Sequence, residues 1–158
     1  MKITIICVGK IKERFFCDAI AEYVKRISRF SAVEIIEVKD EKIPENASNK
    51  ECELILEKEG SAILVKIPKS GYAVAMCIEA AELSSTELSA RLDEIKQTSS
   101  NITFIIGGSL GLSKAVKSAS DMQLSFGKIT LPHQLTRVVL LEQLYRAFKI
   151  SAGEAYHK

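Results

Sequence analysis

The sequence closes on Gly153-Glu154-Ala155-Tyr156-His157-Lys158, a stretch that ends in a stacking ring, a proton carrier and a cation. An aromatic face suits a nucleobase, an imidazole moves protons near neutral pH, and an ammonium meets phosphate. The alternative for such a polar terminus is a frayed end. Arg137 is the second residue of interest. It falls in the middle of an apolar helical arc formed by Leu140, Leu141, Leu144, Tyr145, Ala147 and Phe148. A guanidinium there needs either a carboxylate from elsewhere in the fold or an anionic ligand near the helix start. Two backbone segments complete the set. Ile106-Gly107-Gly108-Ser109-Leu110-Gly111 lets a main chain approach a ligand with no Cβ in the way, or else makes a plain tight turn. Phe126-Gly127-Lys128-Ile129-Thr130-Leu131-Pro132-His133 is a short strand broken by Gly and closed by Pro. It either offers free N–H and C=O groups to the edge of a nucleotide or is an ordinary sheet edge.

The elements that must carry these residues alternate. Lys2–Val8 reads as a buried strand, and Phe15, Phe16, Ala19, Ile20, Tyr23, Val24, Ile27 and Phe30 recur at helical spacing after it. The other face of that helix holds Lys12, Arg14, Lys25, Arg26 and Arg29 among acidic residues. It reads as a solvated face, with an RNA-facing surface as the alternative. Val33–Val38 is a second strand. Ser48 with Glu51 forms a capping box for a helix to about Lys66, and Ser84 with Glu87 another for a helix to about Gln97. Tyr72–Ile78 and Ile102–Ile106 are strands, the latter an uninterrupted β-branched and aromatic run of central-strand type. A short helix near Lys114–Ala119 follows, then apolar pieces at Leu124–Phe126 and Ile129–Leu131, then a long helix over Gln134–Ile150. Strands alternating with helices predict an α/β fold, with a mostly parallel sheet between helices, in a single domain over residues 1–158. The final helix is apolar around much of its first half, which predicts burial on two sides, one by its own sheet and one by a partner subunit.

Composition narrows the class. The chain has 158 residues, enough to bury a real core, and a net charge of only +2. RNA binding would therefore need local clustering or shape rather than overall charge. No apolar stretch approaches the roughly 20 residues of a membrane span, and the first residues do not form a signal peptide, so a soluble cytoplasmic protein is expected. Cys7, Cys17, Cys52 and Cys77 form no C-x-x-C and have no His at metal-ligand spacing. They read as reduced core thiols, with a catalytic thiol as the lesser alternative.

Taken in order, several of these segments are familiar: Met1-Lys2-Ile3 to Val8-Gly9-Lys10, Ala21-Glu22-Tyr23, and Glu57-Lys58-Glu59-Gly60. So are Ile106-Gly107-Gly108 with Gly111-Leu112, Leu131-Pro132-His133, Arg137-Val138-Val139, Glu142-Gln143-Leu144-Tyr145-Arg146-Ala147, and the Gly153–Lys158 tail. With this content and spacing the chain resembles the small SPOUT-class methyltransferases of the RlmH type. The resemblance implies a C-terminal trefoil knot and a homodimer. It implies S-adenosyl-L-methionine as cofactor, held by Met76, Gly107, Gly108 and the run Lys128, Ile129, Thr130, Leu131, Pro132 and His133. It implies methylation of N3 of a pseudouridine in large-subunit rRNA, on the ribosome, with Arg146, Tyr156, His157 and Lys158 on the substrate. Three local departures are visible: Ala80-Ala81 where the family commonly has Gly-Lys, Cys77 where it is often acidic, and Ala155 where many members have Pro.

Because a sulfonium donor already carries its leaving group, alignment should dominate catalysis. His157 is the first candidate to take the N3 proton, or else only orients the base, while Arg137 is the candidate to stabilise charge on the pyrimidine oxygens and Tyr156 to stack on the base. No metal is needed. Two rival classes differ in what they bind. A non-catalytic RNA-binding dimer would bind RNA without the cofactor. A nucleotide-dependent oxidoreductase would need the first-strand glycine fingerprint, which is missing.

Overall fold

The computed structural model describes residues 1–156. Five strands, β1 (Lys2–Val8), β2 (Ala32–Val38), β3 (Tyr72–Glu82), β4 (Asn101–Ile106) and β5 (Met122–Ser125), form one sheet in the order β2-β1-β4-β3-β5. All its pairings are parallel. Five helices connect and flank the strands: α1 (Arg14–Ile27), α2 (Asn49–Leu64), α3 (Ser85–Thr98), α4 (Lys114–Ser118) and α5 (His133–Ser151).

Strand alternation divides the core in two. Ile3, Ile5 and Cys7 of β1, with Ile102, Phe104 and Ile106 of β4, pack with Ile27 of α1, Leu88 and Leu92 of α3, and Leu140, Leu141 and Leu144 of α5. Ile6, Val8 and Ile105 point to the other face, against Ile63 of α2 and Val116 of α4. Both central strands are buried on two sides, as their unbroken apolar runs require. The result is a three-layer α/β sandwich with α1, α3 and α5 on one side and α2 and α4 on the other.

Local chemistry sets the helix starts. The Ser48 hydroxyl accepts from the Glu51 N–H (3.3 Å), while the Glu51 carboxylate accepts from the Ser48 N–H (2.8 Å). Ser84 and Glu87 repeat the box at 3.3 and 2.7 Å. Each box satisfies two donors that a helix end leaves free.

Two expectations are corrected. β3 does not end near Ile78. It continues to Glu82, and its pairing with β5 shifts register between Met76 and Ala81. Ile129–Leu131 forms no strand. Gly127 turns the chain with φ +113, and its N–H donates to the Ser125 hydroxyl at 3.0 Å. That hydroxyl in turn donates to Ile78 O at 3.0 Å. The chain therefore leaves the sheet edge just after β5.

Candidate active site

A cavity of about 860 Å³ opens where β4 and β5 end, beside the register slip in β3, with Met76, Ile106 and Leu124 among its lining. Ligands of open parallel sheets bind at such carboxyl ends. Gly107 and Gly108 form one wall. The Gly111 N–H donates to Gly108 O at 3.0 Å, folding the turn back on itself. A Cβ on Gly107 would strike the carbonyl of Gly111, so this turn closes only with glycine there.

The facing wall is Phe126, Gly127 and Ile129 to His133. Among the described residues, no hydrogen bond ties the N–H groups of Ile129, Thr130 or Leu131. They are therefore free to pair with a ligand edge. Of the nine residues expected on the cofactor, all but Lys128 line the cavity. Lys128 is exposed, because the turn at Gly127 sends its side chain outward.

His133 opens α5 with its ring against the β1–α1 turn. A Cβ on Gly9, whose φ is +86, would stand 3.1 Å from Nε2 of that ring. Burial lowers the His133 pKa below its usual value of 6.5, and the neighbouring Arg137 charge adds to this. Its imidazole is thus held neutral beside the cavity.

Arg137 is only 1 % exposed and does not line the cavity. Its Nη1 donates to Glu37 Oε1 at 2.8 Å, and its Nη2 to Val8 O and Gly9 O at 3.1 and 2.5 Å. Of the two readings the sequence left open, the carboxylate partner is the one realised. This corrects the expectation that Arg137 meets the substrate. Both Nη groups of the desolvated guanidinium are engaged in joining β1, β2 and α5, while its buried Nε has no partner among the described residues, so the side chain positions the turn under His133.

Arg146 and Tyr156 come together, but elsewhere. Arg146 lies 4.7 Å from the Tyr156 ring centroid, and the Tyr156 hydroxyl donates to Glu142 Oε1 at 3.3 Å. Glu142 also accepts from Arg146 Nε and Nη2 at 3.0 and 2.6 Å. Ten residues of α5 separate Arg146 from Thr136 at the cavity, about 15 Å along the helix at about 1.5 Å per residue. Within one chain, then, the two halves of the expected site stand at opposite ends of α5. His157 and Lys158 lie outside the described residues.

Several lining residues escaped the sequence reading. Cys77, Ile78 and Glu79 face the cavity because the register of β3 slips there, and Glu79 pairs with Lys117 of α4. Glu59 of α2 lies beneath the turn, where its Oε2 would be 3.1 Å from a Cβ on Gly108. Its Oε1 accepts from the Glu41 N–H at 2.9 Å. Burial pushes its carboxyl pKa up, against the lowering effect of that bond. No pattern marks Ile78 or Glu79; Cys77 is visible in the sequence only as a departure from an often-acidic family position, and Glu59, which stands behind the turn rather than in the lining, sits in the Glu57–Gly60 segment already singled out.

A parallel α/β sandwich with a glycine-walled cavity at its strand ends defines a class of proteins that bind small ligands there. Comparison with known proteins narrows it. The model of the family described as "Predicted SPOUT methyltransferase" matches residues 1–157, and the chain belongs to that family. It is 55 % identical to the ribosomal RNA large subunit methyltransferase H of Streptococcus uberis over the full length of both chains. The protein of that name from Listeria monocytogenes is 51 % identical, again over the whole of both. Among solved structures it resembles a Legionella pneumophila methyltransferase determined with its cofactor SAM bound, at a TM-score of 0.51 and 12 % identity. That alignment covers 93 % of this chain and 66 % of the other, and it speaks for the fold alone.

Proposed function

We propose that the protein methylates N3 of a pseudouridine in large-subunit rRNA on the assembled ribosome, using S-adenosyl-L-methionine. The observation that carries this reading is the cavity between Gly107-Gly108 and Ile129–His133, in a chain matched end to end by relatives named as large-subunit rRNA methyltransferases.

The residues present suit the cofactor. The volume is that of a small-molecule pocket, about 300–1,000 Å³. The free N–H groups of Ile129–Leu131 match the edge of an adenine. Met76, Ile106 and Leu124 offer apolar contact to its ring, and the Gly107-Gly108 turn admits the remainder of the molecule. When bound, the cofactor supplies a methyl group activated by its sulfonium. The chain's own part is alignment and proton removal. His157 accepts the N3 proton, so that the nitrogen lone pair is free. Tyr156 stacks on the target base, and Arg146 and Lys158 hold its oxygens and phosphates. Arg137 holds the turn beneath His133.

The reading includes a homodimer in which the tail of one subunit completes the cavity of the other. The roughly 15 Å between the two halves of the site within one chain supports it. So does Ile129, an apolar side chain 79 % exposed at the cavity mouth. The trefoil knot, one domain over residues 1–158 and a cytoplasmic location belong to the same reading. No described helix is long and apolar enough to cross a membrane.

The test is methyl transfer from labelled S-adenosyl-L-methionine to ribosomes from a strain lacking this modification. Mass spectrometry of the rRNA nucleosides should place the label on N3 of a pseudouridine. Label on another nucleoside, or none while the cofactor still binds, would overturn the substrate assignment. If neither transfer nor cofactor binding is seen, the enzymatic reading falls.

A further inference from the structure

The basic face of α1 is not used by the site described above, yet one part of it adjoins the Arg146–Tyr156 group. The Arg26 guanidinium stands 5.5 Å from the Tyr23 ring centroid and 6.0 Å from that of Tyr145 on α5. Tyr145 meets Tyr156 edge to face with centroids 5.0 Å apart, and Arg146 covers the Tyr156 ring at 4.7 Å. Two guanidiniums and three rings thus make one strip across α1, α5 and the tail.

Both arginines are set in place by a glutamate one helical turn back. Arg26 Nε donates to Glu22 Oε1 at 2.7 Å, as Arg146 does to Glu142. Among the described residues, neither Nη of Arg26 has a hydrogen-bond partner, and its side chain is 43 % exposed. The fork is therefore oriented by its inner edge and open at its outer one, the edge that grips a phosphate with two parallel bonds. Burial foremost, and then Glu142 and Tyr23, push the Tyr156 hydroxyl pKa up, so this group stays a donor at the edge of the strip.

We infer that Tyr23 and Arg26 of α1 form, with Arg146 and Tyr156, an RNA-binding strip that engages a nucleotide neighbouring the target. Interleaved rings and guanidiniums are the chemistry of unstacked RNA, where bases lie on aromatic faces and phosphates pair with arginine. An acidic protein partner would account for the arginines but not for the rings. With a net charge of only +2, phosphate contacts must come from local clusters such as this one rather than from overall charge. The inference rests on the rRNA reading and extends the substrate contact from the tail to the first helix.

The test uses the full-length protein and ribosomes lacking the modification, with Arg26→Gln and Arg26→Lys compared with wild type. Ribosome binding and methyl transfer are measured separately, across a salt series. For Arg26→Gln, the KM and Kd for ribosomes should rise about tenfold, more than kcat changes, and the salt slope should fall by about one. Cofactor affinity by calorimetry should hold, showing an intact fold, and Arg26→Lys should recover the slope with only part of the affinity. Unchanged binding and slope in Arg26→Gln, with the wild type active, would overturn the strip and leave the rRNA reading intact. Ribosome binding that depends on Arg26 without methyl transfer would support the strip and sink the reaction. Absence of both binding and transfer in the wild type would overturn both.

Discussion

Arg137 and Glu37 lie 100 residues apart in the chain, and a 2.8 Å hydrogen bond joins them beneath the cavity. The same guanidinium holds the carbonyls of Val8 and Gly9, so one side chain ties β1, β2 and the first turn of α5 together. Glu37 is one-third exposed and can reach water if its partner is lost, but the buried carbonyls cannot. Arg137→Met should therefore cost about 3 kcal/mol, near the lower end for a broken buried pair. That corresponds to a melting temperature lower by roughly 6–12 °C. Glu37→Gln keeps an acceptor and should cost about 1 kcal/mol. Chemical denaturation of the two variants checks the order. Equal, small losses would show that the pair does not hold the turn.

His133 gives the cavity a pH dependence of known sign. Its pKa is lowered, first by burial and then by Arg137, while Asp40 and Glu13 act in the opposite direction. The folded state thus binds the proton less readily than the unfolded one. Its contribution to stability is complete above 6.5, the unperturbed value, and is lost as pH falls through the lower folded value. A protonated ring would also repel a cationic sulfonium in the same cavity. Cofactor affinity should be level above the ordinary histidine value of 6.5 and decline only as pH falls through the lower folded value. In His133→Gln the decline should flatten. Calorimetric titrations across this range decide it, and an identical slope in the variant would remove His133 as its source.

How much of this was legible in the sequence depends on whether the cause was local. The capping boxes at Ser48 and Ser84, the apolar runs of β1 and β4 and the arc of α5 are set by neighbouring residues. Their bounds in the sequence and in the structure agree to within a few positions. The strand ending in Gly107-Gly108 and the Leu131-Pro132 segment were legible as backbone exposures, and both line the cavity. What depended on distant pairing was not legible. The slip between β3 and β5, which turns Cys77 to Glu79 toward the cavity, exists only once β5 is laid beside β3. The partner of Arg137 could be demanded from the sequence but not named, because Glu37 carries no mark of its own. Lys128 stands outside the lining for a local reason, the turn at Gly127.

The four cysteines should sort by burial when challenged with a thiol reagent. Cys17 is exposed and Cys52 partly so, while Cys7 and Cys77 are buried. Burial pushes the Cys7 pKa up to about 12 against the lowering effect of Arg137, and it raises that of Cys77 as well. Both therefore remain thiols, which react far more slowly than thiolates. In native protein Cys17 should react first and Cys52 more slowly, with the other two silent until denaturant is added. Rapid native reaction at Cys77, located by peptide mapping, would reopen the case for a catalytic thiol at the cavity.

The two half-sites stand about 15 Å apart along α5 of one chain, so variants in each half can be combined in one dimer. Gly107→Ala places a Cβ against the Gly111 carbonyl and should abolish cofactor binding while leaving the distant Tyr156 intact. Tyr156→Ala should retain cofactor binding and lose methyl transfer. If one subunit's tail serves its partner's cavity, a mixed dimer of the two variants contains one site with both lesions and one with neither. Random reassortment of equal amounts makes half the dimers mixed, so activity should return to about a quarter of the wild-type value. If each tail serves its own cavity, every site in every dimer carries one lesion and mixing restores nothing. The two variants should be purified separately, unfolded and refolded together, and then assayed on ribosomes lacking the modification. Recovery near a quarter assigns the tail to the partner's site. Activity no higher than that of either variant alone would instead require the tail to cross the length of α5 within its own chain.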